Sequence, residues 1–196
     1  MFYKLENEEF KGFYDTKVDD TFIEISDENW MNILNSQSEG GTIFYNKKKK
    51  ILETLKLNKF ETLENGLIIT DEEQLKQSIV SELSNLKNNF AIKEFVFNSK
   101  YIQKNRDVDK ANLTSAVVML NVTKQTVFKN WKFKGLDGTD TYVDLTIANM
   151  LAIATIMQTQ TTNVLVAEST LINKVNTLSV EELKKFDAKK EFESII

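Results

Sequence analysis

The sequence contains neither cysteine nor histidine. Without cysteine there is no disulfide framework, no thiolate metal site and no thiol nucleophile. Without histidine the commonest general acid–base group and the commonest metal ligand are both gone. Catalysis would have to come from carboxylates, lysine, tyrosine, serine or threonine. The acidic pairs Asp19-Asp20 and Asp27-Glu28 have no nucleophile or electrophile set beside them. No catalytic, cofactor-binding or metal-binding residue is therefore assigned, no cofactor is expected, and the expectation is a non-enzymatic protein.

An excess of positive charge is also lacking. The net charge of −4 argues against a nucleic-acid partner, which requires cations to neutralise phosphates. No apolar run approaches the length of a membrane span. Residues 1–10 carry three glutamates and lack the basic and apolar regions of a signal peptide. The chain is therefore expected in the cytoplasm of the cell that makes it. There the sequons Asn112-Leu113-Thr114 and Asn121-Val122-Thr123 have no glycosylation meaning.

A core, by contrast, is well supplied. The chain has 196 residues, 41% of them hydrophobic, including 13 phenylalanines. That excludes a disordered chain, which cannot bury enough apolar surface to offset its entropy. The expected class is α+β: a small β-rich N-terminal module over residues 1–69, a connecting amphipathic helix over 70–92, and a mainly helical C-terminal domain over 93–196 with a hairpin and one long helix.

In the first module, Phe22, Ile23 and Ile25 form a short β-prone run that ends at Ser26, a good N-cap. Trp30, Ile33 and Leu34 then share one helix face, and Gly40-Gly41 supplies the C-cap. Residues 42–45 and 51–55 read as strands joined through Asn46 and the lysines 47–50. Asn65-Gly66 signals a second hairpin between Phe60/Leu63 and Leu67-Ile68-Ile69. Thr70-x-x-Glu73 looks like a capping box, opening a helix with Leu75, Ile79, Leu83, Leu86 and Phe90 on its stripe.

Further on, Phe95 to Phe97 is a short apolar stretch, and Leu113, Ala116, Val117 and Leu120 mark a helix face. Residues 126–133 and 141–145 alternate as strands around Asp137-Gly138, a small hairpin between helices. Then comes the clearest period in the chain: Ile147, Met150, Ala154, Met157, Thr161, Val164, Glu168, Leu171 and Val175, widened by Leu151, Leu165 and Ile172. Thr146 is its N-cap, and no proline or glycine interrupts the run, so one helix of roughly 45 Å is expected. Threonine-rich residues 158–163 put polar groups in the middle of this coiled-coil-like seam, where such groups fix register or partner number. Ser179-x-x-Glu182 opens a last short helix with Val180, Leu183 and Phe186 inward.

Two segments carry a resemblance. Phe95-Val96-Phe97-Asn98, Tyr101, Asp107, Asp109, Asn112-Leu113, Trp131-Lys132, Asp137-Gly138, Val143-Asp144-Leu145-Thr146 and Val180-Glu181-Glu182-Leu183 follow one another as in a domain of unknown function. That domain recurs in tail-fibre and tail-assembly proteins of tailed phages and prophages, and the likeness covers residues 95–187. Gly12-Phe13-Tyr14, residues 23–30 (Ile-Glu-Ile-Ser-Asp-Glu-Asn-Trp) and residues 34–40 (Leu-Asn-Ser-Gln-Ser-Glu-Gly) are similar to the start of many tail-fibre assembly proteins. The 70–90 helix matches the one usually found between the two elements. Ser99 stands where a glycine is usual, and Asn163 lies near a position that is often histidine. Any role of that histidine is not carried over.

The resemblance implies a phage or prophage tail-fibre-associated protein, acting in fibre assembly by protein–protein contact. Its alternative form is a structural component of the tail or fibre, an adaptor or receptor-binding accessory. The implied partner is a tail-fibre protein or a second copy of this chain, a trimer being favoured because tail fibres are commonly trimeric. The implied location is the host bacterial cytoplasm during assembly, or the virion tail. An enzyme of another class, a carboxylate-dependent hydrolase, would need two carboxylates converging in a pocket.

The residues to which partner or oligomer contacts are assigned are Trp131, Phe133, Met150, Met157, Thr161, Val164 and Leu171. For each the competing reading is core. Trp131 alternates with Phe133 and could pack against the long helix, and the Met150/Met157 stripe could close within one chain or between chains. Trp30 shares a stripe with Ile33 and Leu34 and reads as core. The lysines 47–50 read as a solvated turn, because like charges in a short block prefer water. Asp137-Gly138-Thr139-Asp140 lacks the ligand series of a calcium loop and reads as a turn.

Overall fold

A computed structural model describes residues 1–64 and 67–196. The chain is α+β and divides into two compact units, Met1–Leu75 and Lys76–Ile196.

In the first unit, strands β1 (Phe2–Glu6), β2 (Glu9–Tyr14) and β3 (Phe22–Glu24) form an antiparallel sheet of order β2-β1-β3. The β1–β2 turn has no glycine. Asn7 and Glu8 supply the two positive φ angles, 53° and 63°, that a tight hairpin of this hand needs. Helix α1 (Asp27–Ser38) starts where expected, with Ser26 Oγ accepting from the Asn29 N–H at 3.3 Å. It ends in a Schellman motif: Gly40 takes φ +89°, and the Gly41 N–H returns to the Ser36 carbonyl at 2.8 Å. A Cβ on Gly41 would lie 2.6 Å from Ser36 Oγ, so this turn excludes a side chain.

Ile33 of α1 packs with Tyr3, Ile25 and Leu52 as the core of the unit, and half-buried Trp30 packs against them. Strands β4 (Thr42–Asn46) and β5 (Ile51–Leu55) pair through the lysine turn. Asn46 Oδ1 accepts from both the Lys48 and Lys49 N–H groups at 3.1 Å, and all four lysines are exposed. The solvated turn is as expected, with Lys47 paired to Glu8 and Lys49 to Glu53. β6 (Glu61–Glu64) and β7 (Leu67–Thr70) pair antiparallel. The Asn65-Gly66 signal between them lies outside the described residues.

Helix α2 (Glu72–Ala91) starts one residue later than the Thr70-x-x-Glu73 pattern implies. The cap is Asp71: its Oδ1 accepts from the Gln74 N–H at 2.9 Å and its Oδ2 from Gln74 Nε2 at 2.7 Å. Threonine and aspartate are both good caps. Here the Asp71 N–H is committed to the Phe60 carbonyl at 2.8 Å, which holds Thr70 in the β6–β7 ladder. From Lys76 onward α2 belongs to the second unit.

The second unit adds β8 (Phe95–Phe97), β9 (Tyr101–Gln103), α3 (Asp107–Thr123), β10 (Val127–Gly135), β11 (Asp140–Thr146), α4 (Ile147–Thr177), α5 (Val180–Leu183) and α6 (Ala188–Glu193). The expected hairpin forms, and it belongs to a larger sheet. β10 and β11 are half of a four-stranded antiparallel sheet of order β11-β10-β9-β8. β9 carries no strand signal of its own, because three residues are too few to show alternation.

One face of this sheet, through Phe97, Trp131, Phe133 and Leu145, packs on Leu113, Ala116 and Leu120 of α3 and on Met150, Ile153 and Met157 of α4. Each leucine, isoleucine, phenylalanine or methionine among them contributes about 1.5–3 kcal/mol by leaving water. Thr146 caps α4, accepting from the Asn149 N–H at 3.2 Å while Asn149 Oδ1 accepts from the Thr146 N–H at 3.3 Å. Farther along α4, Val164, Ala167, Leu171 and Val175 are fully buried, as are Leu83 of α2 and Phe192 of α6. Phe90 and Phe192 rings meet at 5.7 Å.

Candidate functional site

The residues assigned to partner contact occupy the protein's own interior. Trp131, Phe133, Met150, Met157, Val164 and Leu171 are all buried, most of them at 2% exposure or less. Half-buried Thr161 donates its hydroxyl to the Met157 carbonyl at 3.0 Å. The α4 stripe thus closes within the chain, and a partner has no access to it in this state. Spacing by three and four marks a buried stripe without saying which molecule buries it. The flank of that stripe is also corrected. Ile153 and Ala167 are fully buried, whereas Leu151 and Leu165 are about half exposed.

The surface a partner can reach lies on the opposite faces. No residue is charged over 111–123 of α3 or over 147–167 of α4. On α3, Leu113, Ala116 and Leu120 face inward, while Val118, Met119 and Val122 stand 55%, 56% and 76% exposed. These three line a shallow depression of about 370 Å³ together with Thr114, Ser115 and Thr123. The Thr114 and Thr123 hydroxyls donate to the Lys110 and Met119 carbonyls of their own helix. Their protons are therefore engaged within α3, and the patch presents mostly carbon.

Ser115 and Met119 also line a larger cleft of about 760 Å³ between α3 and β10. Its origin is the early end of β9. β10 pairs with β9 only at Lys134 and Gly135. Beyond Gln103 the chain is drawn inward at Asn105, which is wholly buried and donates from Nδ2 to the Ala91 carbonyl at 2.9 Å. Arg106, the only arginine in the chain, then opens α3 with a two-pronged grip on Asp109: Nε to Oδ2 at 2.8 Å and Nη2 to Oδ1 at 2.9 Å. The edge of β10 over residues 128–133 consequently faces a cleft and, among the described residues, no strand.

Phe128, Trp131 and Ala116 give this cleft apolar walls. The Trp131 indole N–H is satisfied by Gln103 Oε1 at 3.1 Å. A bulge interrupts β10 between Phe128 and Trp131, with Asn130 at φ 58°. Asp144 holds it, accepting from the Asn130 N–H at 3.1 Å and pairing with Lys129 Nζ at 2.7 Å.

Four cations, Lys104, Arg106, Lys132 and Lys134, rim the cleft against two carboxylates, Asp109 and Asp140. The Arg106 side-chain hydrogen bond holds Asp109 below the ordinary aspartate range. The Lys132 hydrogen bond does the same for Asp140, and Asp140 in turn raises Lys132. General acids at neutral pH need raised carboxyl pKa values. These two shift the other way, which suits ion pairing. Among the described residues no group of three acidic or metal-ligating side chains could hold a metal ion.

Gln103, Lys104, Arg106, Ser115 and Met119 were missed as site residues. The usable signal was the second apolar stripe of α3, with Val118, Met119 and Val122 opposite Leu113 and Leu120, in a segment without charge. Comparison with protein-family models, curated proteins and solved structures found no match for this chain.

Proposed function

We propose that this chain is a non-enzymatic accessory protein of a bacteriophage or prophage tail, assisting tail-fibre assembly by protein–protein contact. The observation that carries the contact mode is the apolar patch of α3. Val118, Met119 and Val122 stand in water on a helix whose inner face is already packed. Scattered exposed apolar residues are ordinary, but a contiguous uncharged group is typical of an interaction surface. A helix presenting such a stripe suits helix-in-groove recognition.

The tail-fibre assignment rests on the sequence resemblance over residues 95–187 and 23–40. The contact would be made in the host cytoplasm during assembly, and no helix among the described residues is long and apolar enough to cross a membrane. Co-expression with the fibre protein encoded beside it is expected to yield a stable complex. The triple substitution Val118→Ser, Met119→Ser, Val122→Ser should abolish that complex while the melting temperature of the free chain holds. A fibre that is soluble and trimeric without this chain, and forms no complex with it, rules the reading out. Mass spectrometry of purified particles separates the assembly role from the structural one, since an assembly factor is absent from them.

A further inference from the structure

The geometry points to a second contact of defined chemistry: the free edge of β10 receives an extended partner segment that alternates acidic and apolar residues. The inference rests on reading the α3–β10 face as a protein-contact surface, and it adds which kind of segment binds there and how.

Backbone direction comes first. The Gly135 N–H donates to the Thr139 carbonyl, toward β11. Backbone groups alternate sides along a strand, so Phe133 and Trp131 also address β11, while Lys134 and Lys132 address the other edge. Lys134 finds Ile102 of β9 there, and among the described residues nothing is paired opposite Lys132. An unpaired strand edge is a ready template for another extended chain.

The pleat then dictates the pattern of the incoming segment. Side chains alternate faces, and cross-strand neighbours share a face. Trp131 and Phe133 lie on the buried face, and Lys132 and Lys134 on the open one. A segment running beside them sets every second residue against the aromatic face and the others beside the lysines. Apolar residues suit the first position and carboxylates the second. Asp140 is shared by both lysines, at 2.7 and 3.5 Å, and Lys104 and Arg106 stand on the facing rim. Positive charge is therefore left in excess, and it favours an acidic segment. Nucleic acid is disfavoured, because the chain as a whole is at −4 and the slot is partly apolar.

The test uses the intact protein, labelled with 15N, and a capped peptide of about eight residues alternating isoleucine and aspartate. The companion peptide carries lysine in place of aspartate. The acidic peptide is expected to bind at least about tenfold more tightly than the lysine one, to shift the amides of Lys104, Lys132 and Met119, and to slow hydrogen exchange at the Lys132 amide. A contact made by side chains alone would not slow that exchange. The double variant Lys104→Gln, Lys132→Gln, which leaves the core untouched, should weaken binding about tenfold. Equal affinity for both peptides, no binding, shifts confined to other surfaces or an unprotected Lys132 amide each overturn the proposal. If the unsubstituted protein forms the fibre complex but does not bind the peptide, the strand contact alone is refuted. If the peptide binds but no fibre complex forms, the tail-fibre reading alone falls.

Discussion

The Trp131 indole N–H donates to Gln103 Oε1 at 3.1 Å within the buried interior of the second unit. This bond ties β10 to β9 just past the last paired residues of their ladder, at the floor of the cleft. Gln103 is itself held by donation from Nε2 to the Lys104 carbonyl at 2.8 Å. Gln103→Ala would strand a buried donor, which costs about 1–3 kcal/mol. Trp131→Phe removes the donor but leaves the glutamine oxygen alone. Urea unfolding of both single variants and the double variant should show coupling of favourable sign. Strict additivity would mean the bond contributes nothing.

Glu168 is the charged residue on the inner stripe of α4, and its Oε1 serves two groups of α2. It accepts from Ser84 Oγ at 2.7 Å and pairs with Lys87 Nζ at 3.0 Å. The glutamate side chain is 13% exposed and the lysine 24%. Glu168→Ala leaves both partners unmet in a largely dry place, and a loss of about 1–3 kcal/mol is expected. Glu168→Gln keeps the serine bond and should lose less. The denaturation midpoint should fall at constant slope. An unchanged midpoint for Glu168→Ala would refute the role.

The start of α2 separates two neighbouring residues. Asp71→Ala should destabilise by about 0.5–2 kcal/mol through loss of the N-cap. Thr70→Ala removes no cap and should change stability by less than about 0.5 kcal/mol. The reverse order in a thermal melt would return the cap to Thr70.

Acid should weaken the second unit in a defined direction. Asp109, Asp140 and Asp144 are all held below the ordinary aspartate value, by hydrogen bonds from Arg106, Lys132 and Lys129 respectively. Folding thus favours their ionised forms. Their contribution is complete above the unfolded value of about 3.9 and is lost as pH falls through the lower folded values. Melting temperature should accordingly drop on acidification below about pH 4, and Asp109→Asn should flatten that limb. A variant as acid-sensitive as the parent would show that Asp109 is not among the titrating groups.

Much of this fold could be read from local chemistry. Ser26 and Thr146 cap the helices they were expected to cap, because a cap is settled by one side chain and the backbone two or three residues on. Most inward residues of α2 and α4 follow from period alone, Leu83, Met150 and Val175 among them, while Ile153 and Ala167 do not. The lysine turn and the β10–β11 hairpin were legible from charge and from Asp137-Gly138. The β1–β2 hairpin was not, since Asn7-Glu8 meets the turn requirement without glycine. β9 was not either, since its place in the sheet comes from β10 and not from its own three residues.

The candidate site divides along the same line. Which residues are apolar, which are charged and where charge is missing follow from residue order, as does the chemistry forgone without histidine or cysteine. Whether Trp131, Met157 and Leu171 meet a partner or their own chain does not, because hydrophobic burial has no direction and rewards either equally. Three-dimensional packing assigned that stripe to the interior and turned Val118, Met119 and Val122 outward. It also ended β9 at Gln103 by drawing Asn105 into the core, and so left the edge of β10 open.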